Sequence, residues 1–146
     1  MEYNPYALTG KTILVTGASS GIGRAVAIEC SRLGAHVILS ARNKEKLEET
    51  LKMMEGHGHQ VIECDLSKEK EVSLLIDEVP EIQGLVNNAG TTMTVPVPFI
   101  KFNVLSDLLK VNTIAPIMIL SGLVKKRNCV QILLLYLLVL SQVWDV

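Results

Sequence analysis

Residues Thr12-Ile13-Leu14-Val15-Thr16 form a short β-branched run, and a glycine-rich segment follows at once, Gly17-Ala18-Ser19-Ser20-Gly21-Ile22-Gly23. An unbroken run of this kind belongs to a strand buried on both faces. The residues after it return to helical spacing at Ile22, Ala25, Val26, Glu29, Cys30 and Leu33, and Gly34 supplies a stop. A strand that passes through glycines straight into a helix is the strongest constraint on the fold. Both its faces need cover, and a parallel partner is reached only by a crossover.

The same alternation then repeats. Ala35 to Ser40 predicts a second strand, and Asn43 caps a helix with an apolar stripe at Leu47, Leu51 and Met54, ended by Gly56. Val61 to Cys64 predicts a third strand. Ser67 caps a helix carrying Val72, Leu75, Ile76 and Val79, closed by Pro80. Gly84 to Val86 begins a fourth strand that ends at Asn87-Asn88-Ala89-Gly90. A loop with Pro96 and Pro98 leads into a long helical stretch from Lys101 to Val124. This order predicts an α/β, Rossmann-like, doubly wound parallel sheet with right-handed crossovers.

With 146 residues, 49% hydrophobic and 20% charged, there is room for one domain with a real core. A net charge of −1 leaves no electrostatic footprint for nucleic acid. The dense cluster Lys125-Lys126-Arg127 reads as a solvated helix end. Three widely spaced cysteines show neither metal spacing nor a disulfide framework, and Cys30 and Cys64 read as small core residues. The start, Met1-Glu2-Tyr3-Asn4-Pro5, is not a signal peptide pattern, so a cytoplasmic location is expected.

The turn at Thr16–Gly23 lies where such a fold places a pyrophosphate. Glycine permits backbone conformations that a Cβ forbids and lets the chain approach a ligand closely. The amides and dipole at the helix start then face the phosphates, with the Ser19 and Ser20 hydroxyls as further donors. A sharp strand-to-helix turn alone also selects glycine. The spacing Thr-Gly-x-x-x-Gly-x-Gly resembles the cofactor turn of the short-chain dehydrogenases/reductases, and Asn87-Asn88-Ala89-Gly90 is similar to that family's second signature. The resemblance covers roughly residues 8 to 132.

That resemblance implies a nicotinamide cofactor held by Gly17, Ser19, Ser20, Gly21, Ile22 and Gly23. Ser40-Ala41-Arg42-Asn43, at the end of the second strand, offers a guanidinium and no carboxylate, which favours NADP(H) over NAD(H). The other reading makes Arg42 a solvated residue at a helix start. In the family, the pair matching Asp65-Leu66 lies against the adenine ring. Asp65 is equally placed for a turn before Ser67, and the two roles are compatible. Asn88 resembles the asparagine lining the cofactor site, and Asn87 serves the turn.

Asn112 sits in an apolar stretch four residues before Pro116, which has no N–H to donate to its carbonyl. A kink and an unpaired carbonyl are expected there. The family's matching carbonyl holds a water that connects to the catalytic lysine; the other reading is a helix merely bent around the core. The family's chemistry on an alcohol/carbonyl pair also needs a serine and a Tyr-x-x-x-Lys. No Tyr-x-x-x-Lys occurs in these residues, and Ser141 lacks matching neighbours.

The expectation is a dinucleotide-binding domain over 1–132, truncated after about the fifth strand, followed by an atypical apolar tail over 133–146. As an oxidoreductase fragment it would be inactive alone; the alternative is a non-catalytic NADP(H)-binding or interaction module. Its partner would be a small carbonyl or alcohol, with an oligomer open to the complete family form. The run Ile132 to Leu140 is too short for a membrane span of about twenty residues, and no membrane partner is expected. The tail has two further readings, a buried strand and an out-of-frame segment in which CTC leucine codons displaced by one base read as TCC serine.

Overall fold

In the computed structural model, residues 4–126 are described in full, and 129–136 as a strand by its backbone. The sheet is built from β1 (Thr12–Thr16), β2 (His36–Ala41), β3 (Gln60–Glu63), β4 (Ile82–Asn87) and β5 (Cys129–Tyr136). All four pairings are parallel, in the order β3-β2-β1-β4-β5. The helices are α1 (Gly21–Arg32), α2 (Lys44–Lys52), α3 (Glu69–Glu78), α4 (Phe102–Leu109) and α5 (Ala115–Lys125). This is the expected doubly wound Rossmann-like sheet. β5 continues four residues past Ile132, and the readings of residues 137–146, Ser141 included, lie outside the described residues.

Side-chain alternation along β1 divides the core. Leu14 joins Ile38, Leu75, Leu85, Ile119 and Leu123 under α3 and α5, whereas Ile13 and Val15 join Val37, Leu39, Ala27 and Leu47 under α1 and α2.

Several local expectations shift. The buried face of α1 is Gly23, Ala27 and Ser31, while Ile22 and Ala25 are exposed. Small residues face the sheet because they let the helix axis sit close to it. Ser67 does not cap α3. The cap position is Lys68, without a side-chain bond, because the Ser67 hydroxyl already donates to Asp65 Oδ1 at 2.8 Å. Asn43 does cap α2, its Oδ1 accepting from the Lys46 amide at 2.9 Å. β4 begins at Ile82 rather than Gly84, with a register irregularity between those residues against β5.

The long helix is interrupted, as Pro116 led one to expect, but by a π-helical turn at Lys110–Ile114 in which the Ala115 amide donates to the Lys110 carbonyl. Pro116 then falls in the first turn of α5, where a missing N–H costs little. By length and composition Phe102–Lys125 is apolar enough to cross a membrane, with 24 residues and mean hydropathy 1.5. Of its most apolar window 22% is buried, and Ala115, Pro116, Ile119 and Leu123 are the buried residues of α5.

Leu14 is wholly buried at the centre of the sheet. Leu14→Ala is expected to remove about 2–5 kcal/mol of stability, read as a lower urea midpoint. Val124→Ala, at an exposed position, should stay within about 0.5 kcal/mol.

Candidate functional site

The strand order places β1 beside β4, with connections leaving the two strands in opposite directions. Such a switch point opens a crevice beyond the carboxyl ends of the strands. A cleft of about 860 Å³ lies there. Gly17, Ser19, Ser20, Gly21 and Ile22 line one side, Arg42 and Lys46 a second, and Asp65, Leu66 and Asn88 a third. Of these ten, all but Lys46 were singled out in the sequence; Met93 and Asp107, which also line the cleft, were not.

The base of the cleft is fixed by the last residue of β1. The Thr16 hydroxyl donates to the Val86 carbonyl at 3.3 Å and accepts from the amides of Asn88 and Ala89, both at 3.1 Å. Asn88 Nδ2 in turn donates to the carbonyls of Thr16 and Gly17, at 3.2 and 3.3 Å. Thr16 was missed as a site residue, although its position directly before Gly17 was the available signal. Asn87 is buried beside this knot, and neither polar atom of its side chain has a partner among the described residues.

The three glycines do different work. Gly17 and Gly21 have φ of +69° and +55°, the left-handed region that disfavours other residues. Gly21 has open space where a Cβ would stand. Gly23 does not line the cleft; a Cβ there would collide with the Gly17 carbonyl and Asn88 Nδ2. Its role is close contact between α1 and the turn.

At the start of α1 the amides of Ser19, Ser20, Gly21 and Ile22 have no acceptor among the described residues. Ser20 is the cap residue, extended, without a side-chain bond, and no acidic residue stands in the first turn. Unpaired donors and a helix dipole, with no acidic residue in the first turn, fit an anion such as a diphosphate.

Arg42 is exposed at the end of β2, and its guanidinium makes no hydrogen bond or ion pair among the described residues. Across the cleft, burial raises the Asp65 carboxyl. Hydrogen bonds from the Ser67 hydroxyl and amide, with the charges of Lys68 and Arg42, outweigh that and leave it below its ordinary value. Oδ1 is thus committed to the turn. Leu66 is buried in the core under the cleft floor. The neighbouring Cys64 belongs to the core, and burial, then Glu71, Asp65 and Glu78, push its thiol up to about 12, away from the thiolate form.

Asn112 lies outside the cleft lining. Its amide grips the Thr91 backbone in both directions, Oδ1 accepting from the N–H and Nδ2 donating to the carbonyl, each at 2.8 Å. That pair ties the π turn to the loop after β4, a side-chain role the sequence did not reveal.

A family model described as short chain dehydrogenase matches residues 11–128. The chain belongs to this family. Among curated relatives, the 3-oxoacyl-(acyl-carrier-protein) reductase FabG of Rickettsia felis is 45% identical over 85 residues, 58% of this chain and 35% of that protein. The 3-ketodihydrosphingosine reductase of Mus musculus is 43% identical over 101 residues, 62% of this chain and 30% of that protein. This short-chain dehydrogenase chain therefore spans about a third of the length of these relatives. A solved metagenomic short-chain oxidoreductase in complex with NADP is similar at a TM-score of 0.71 and 35% identity, over 79% of this chain and 55% of that one.

Gly21→Ala should cost ~1–2 kcal/mol, the left-handed penalty alone. Gly23→Ala should cost more, since backbone must move. Equilibrium denaturation of both variants checks the order, and a reversed order would refute the division of roles.

Proposed function

We propose that the cleft binds NADP(H) and that the protein is an oxidoreductase domain for an alcohol/carbonyl pair, its 146-residue polypeptide transferring no hydride by itself. The observation that carries this reading is the row of unpaired amides from Ser19 to Ile22 at the start of α1. When bound, the cofactor supplies the hydride carrier. Ser19, Ser20, Gly21 and Ile22 hold its pyrophosphate, with Gly17 and Gly23 shaping the turn and Asn88 fixing it. Arg42, whose guanidinium makes no hydrogen bond or ion pair among the described residues, takes the 2′-phosphate in a charge-assisted contact. The remaining oxygen of Asp65 and the Leu66 side chain face the adenine. The Asn112 carbonyl, which Pro116 cannot serve as a donor, holds the relay water.

The NADP-bound neighbour supports the cofactor, though it favours NADP over NAD less directly than Arg42 does. Both curated relatives are named as reductases of a 3-oxo or 3-keto group, which fits a carbonyl substrate. A cytoplasmic location fits the free thiols of Cys30 and Cys64. A non-catalytic NADP(H)-binding or interaction module is the second reading, favoured by the lack of Tyr-x-x-x-Lys in these residues. The coding sequence beyond codon 146 separates the two: a tyrosine and lysine at family spacing, in any frame, select the enzyme.

Arg42→Ala should weaken NADPH binding by roughly ten- to a hundredfold, the worth of one charged hydrogen bond, and leave NADH binding nearly unchanged. Titration calorimetry with both cofactors tests this, and equal losses would remove Arg42 from the 2′-phosphate.

Without a positioned general acid, a factor of about 10²–10⁴ in rate is already absent. The purified chain, given NADPH and a panel of ketones and aldehydes, is expected to show no change in nicotinamide absorbance above a protein-free blank. Reproducible turnover would overturn the inactive reading.

A further inference from the structure

Five successive carbonyls at the glycine turn each have a donor inside the protein. Asn88 Nδ2 serves Thr16 and Gly17, the Thr50 hydroxyl serves Ala18 at 2.9 Å, an Arg24 guanidinium nitrogen serves Ser19 at 2.6 Å, and the Arg24 amide serves Ser20. The middle two donors form one unit. Arg24 Nε donates to Thr50 Oγ1 at 3.0 Å, and the guanidinium pairs with Glu49 at 3.2 Å. Thr50 is wholly buried on α2, and its proton is shared between Ala18 and the Lys46 carbonyl one turn back. Neither Arg24 nor Thr50 lines the cleft.

A peptide unit is planar and trans, so its C=O and N–H point opposite ways. Fixing the Ala18 carbonyl therefore fixes the Ser19 N–H, and fixing the Ser19 carbonyl fixes the Ser20 N–H. These are two of the unpaired amides at the cleft. We propose that Arg24 and Thr50 are positioning residues for the diphosphate subsite, a clasp between α1 and α2 that holds two turn peptides with their amides toward the ligand. Without it, either peptide is free to rotate and present a carbonyl oxygen to the phosphates, replacing attraction with repulsion. The inference rests on the cofactor reading of the cleft, and it assigns the geometry of that subsite to residues outside it.

The test uses the whole chain with Thr50→Val, which keeps shape and removes the hydroxyl, and Thr50→Ser, which restores it. Affinities for NADPH and for 2′-AMP, which carries no diphosphate, are measured by calorimetry. Thr50→Val is expected to weaken NADPH binding roughly three- to tenfold, the range of one net hydrogen bond, with 2′-AMP unchanged and Thr50→Ser near wild type. If Thr50→Val does not fold, Arg24→Lys carries the test. It keeps the charge, loses the fork to Thr50 and Ser19, and should show the same selective loss. Wild-type affinity for NADPH in the variant overturns the clasp, as does a parallel loss for 2′-AMP, which would mark a merely structural role. A wild-type chain that binds 2′-AMP and NADPH not at all overturns the cofactor reading itself, and is seen before any variant is made.

Discussion

The cleft exists because the ends of β1 and β4 are held at a fixed separation while their chains depart in opposite directions. One hydroxyl does most of this. Thr16 bonds the end of β4 and the residues just beyond it at Val86, Asn88 and Ala89, and Asn88 returns two bonds to the carbonyls of Thr16 and Gly17. The base of the site is thus cross-braced where the parallel ladder of Ile13–Val15 with Gly84–Val86 has just ended. Every group that faces the cleft is positioned relative to this knot. The left-handed Gly17, the helix start at Gly21 and the loop from Ala89 to Thr91 all hang from it.

The parts of the fold visible in the sequence are those set by local periodicity. Buried strands announce themselves as β-branched runs, and Asn43 caps α2 because its oxygen reaches only three residues along. Ser67 looked equivalent but was not. Asp65, two residues before it, offers a carboxylate that captures both its amide and its hydroxyl. The face of α1 misled for a different reason. Apolar spacing marks large side chains, whereas a helix lying close on a sheet presents its smallest, Gly23, Ala27 and Ser31.

At the site, residue type pointed mostly to positions that the fold gathers around one cleft, Gly23 and Asn112 excepted, and left their tasks unresolved. Three glycines in one motif divide into Gly21, which needs only an unusual φ, Gly23, which needs only empty space, and Gly17, which needs both, a distinction carried by tertiary neighbours such as the Gly17 carbonyl, Asn88 and Ala89. Asn112 drew notice through Pro116, yet its side chain is engaged with Thr91, 21 residues away. Arg24 and Thr50, 26 residues apart, carry no motif. Contacts made across the fold leave no period for a pattern to detect.

The π turn between α4 and α5 sets the rotational phase of the second helix against the first. Successive residues of an α-helix are rotated by about 100° around its axis. A π turn takes up one extra residue while the axis continues. The single surplus residue among Lys110–Ile114 thereby acts as an angular offset, setting Ile119 and Leu123 toward the sheet while Phe102, Leu109 and Ile117 stay exposed. Deleting one residue there would straighten the hydrogen bonding and rotate all of α5 by that step. Its buried residues, Ile119 and Leu123 among them, would turn out of the core together, so a shortening that perfects the helix locally would undo its fit to the sheet.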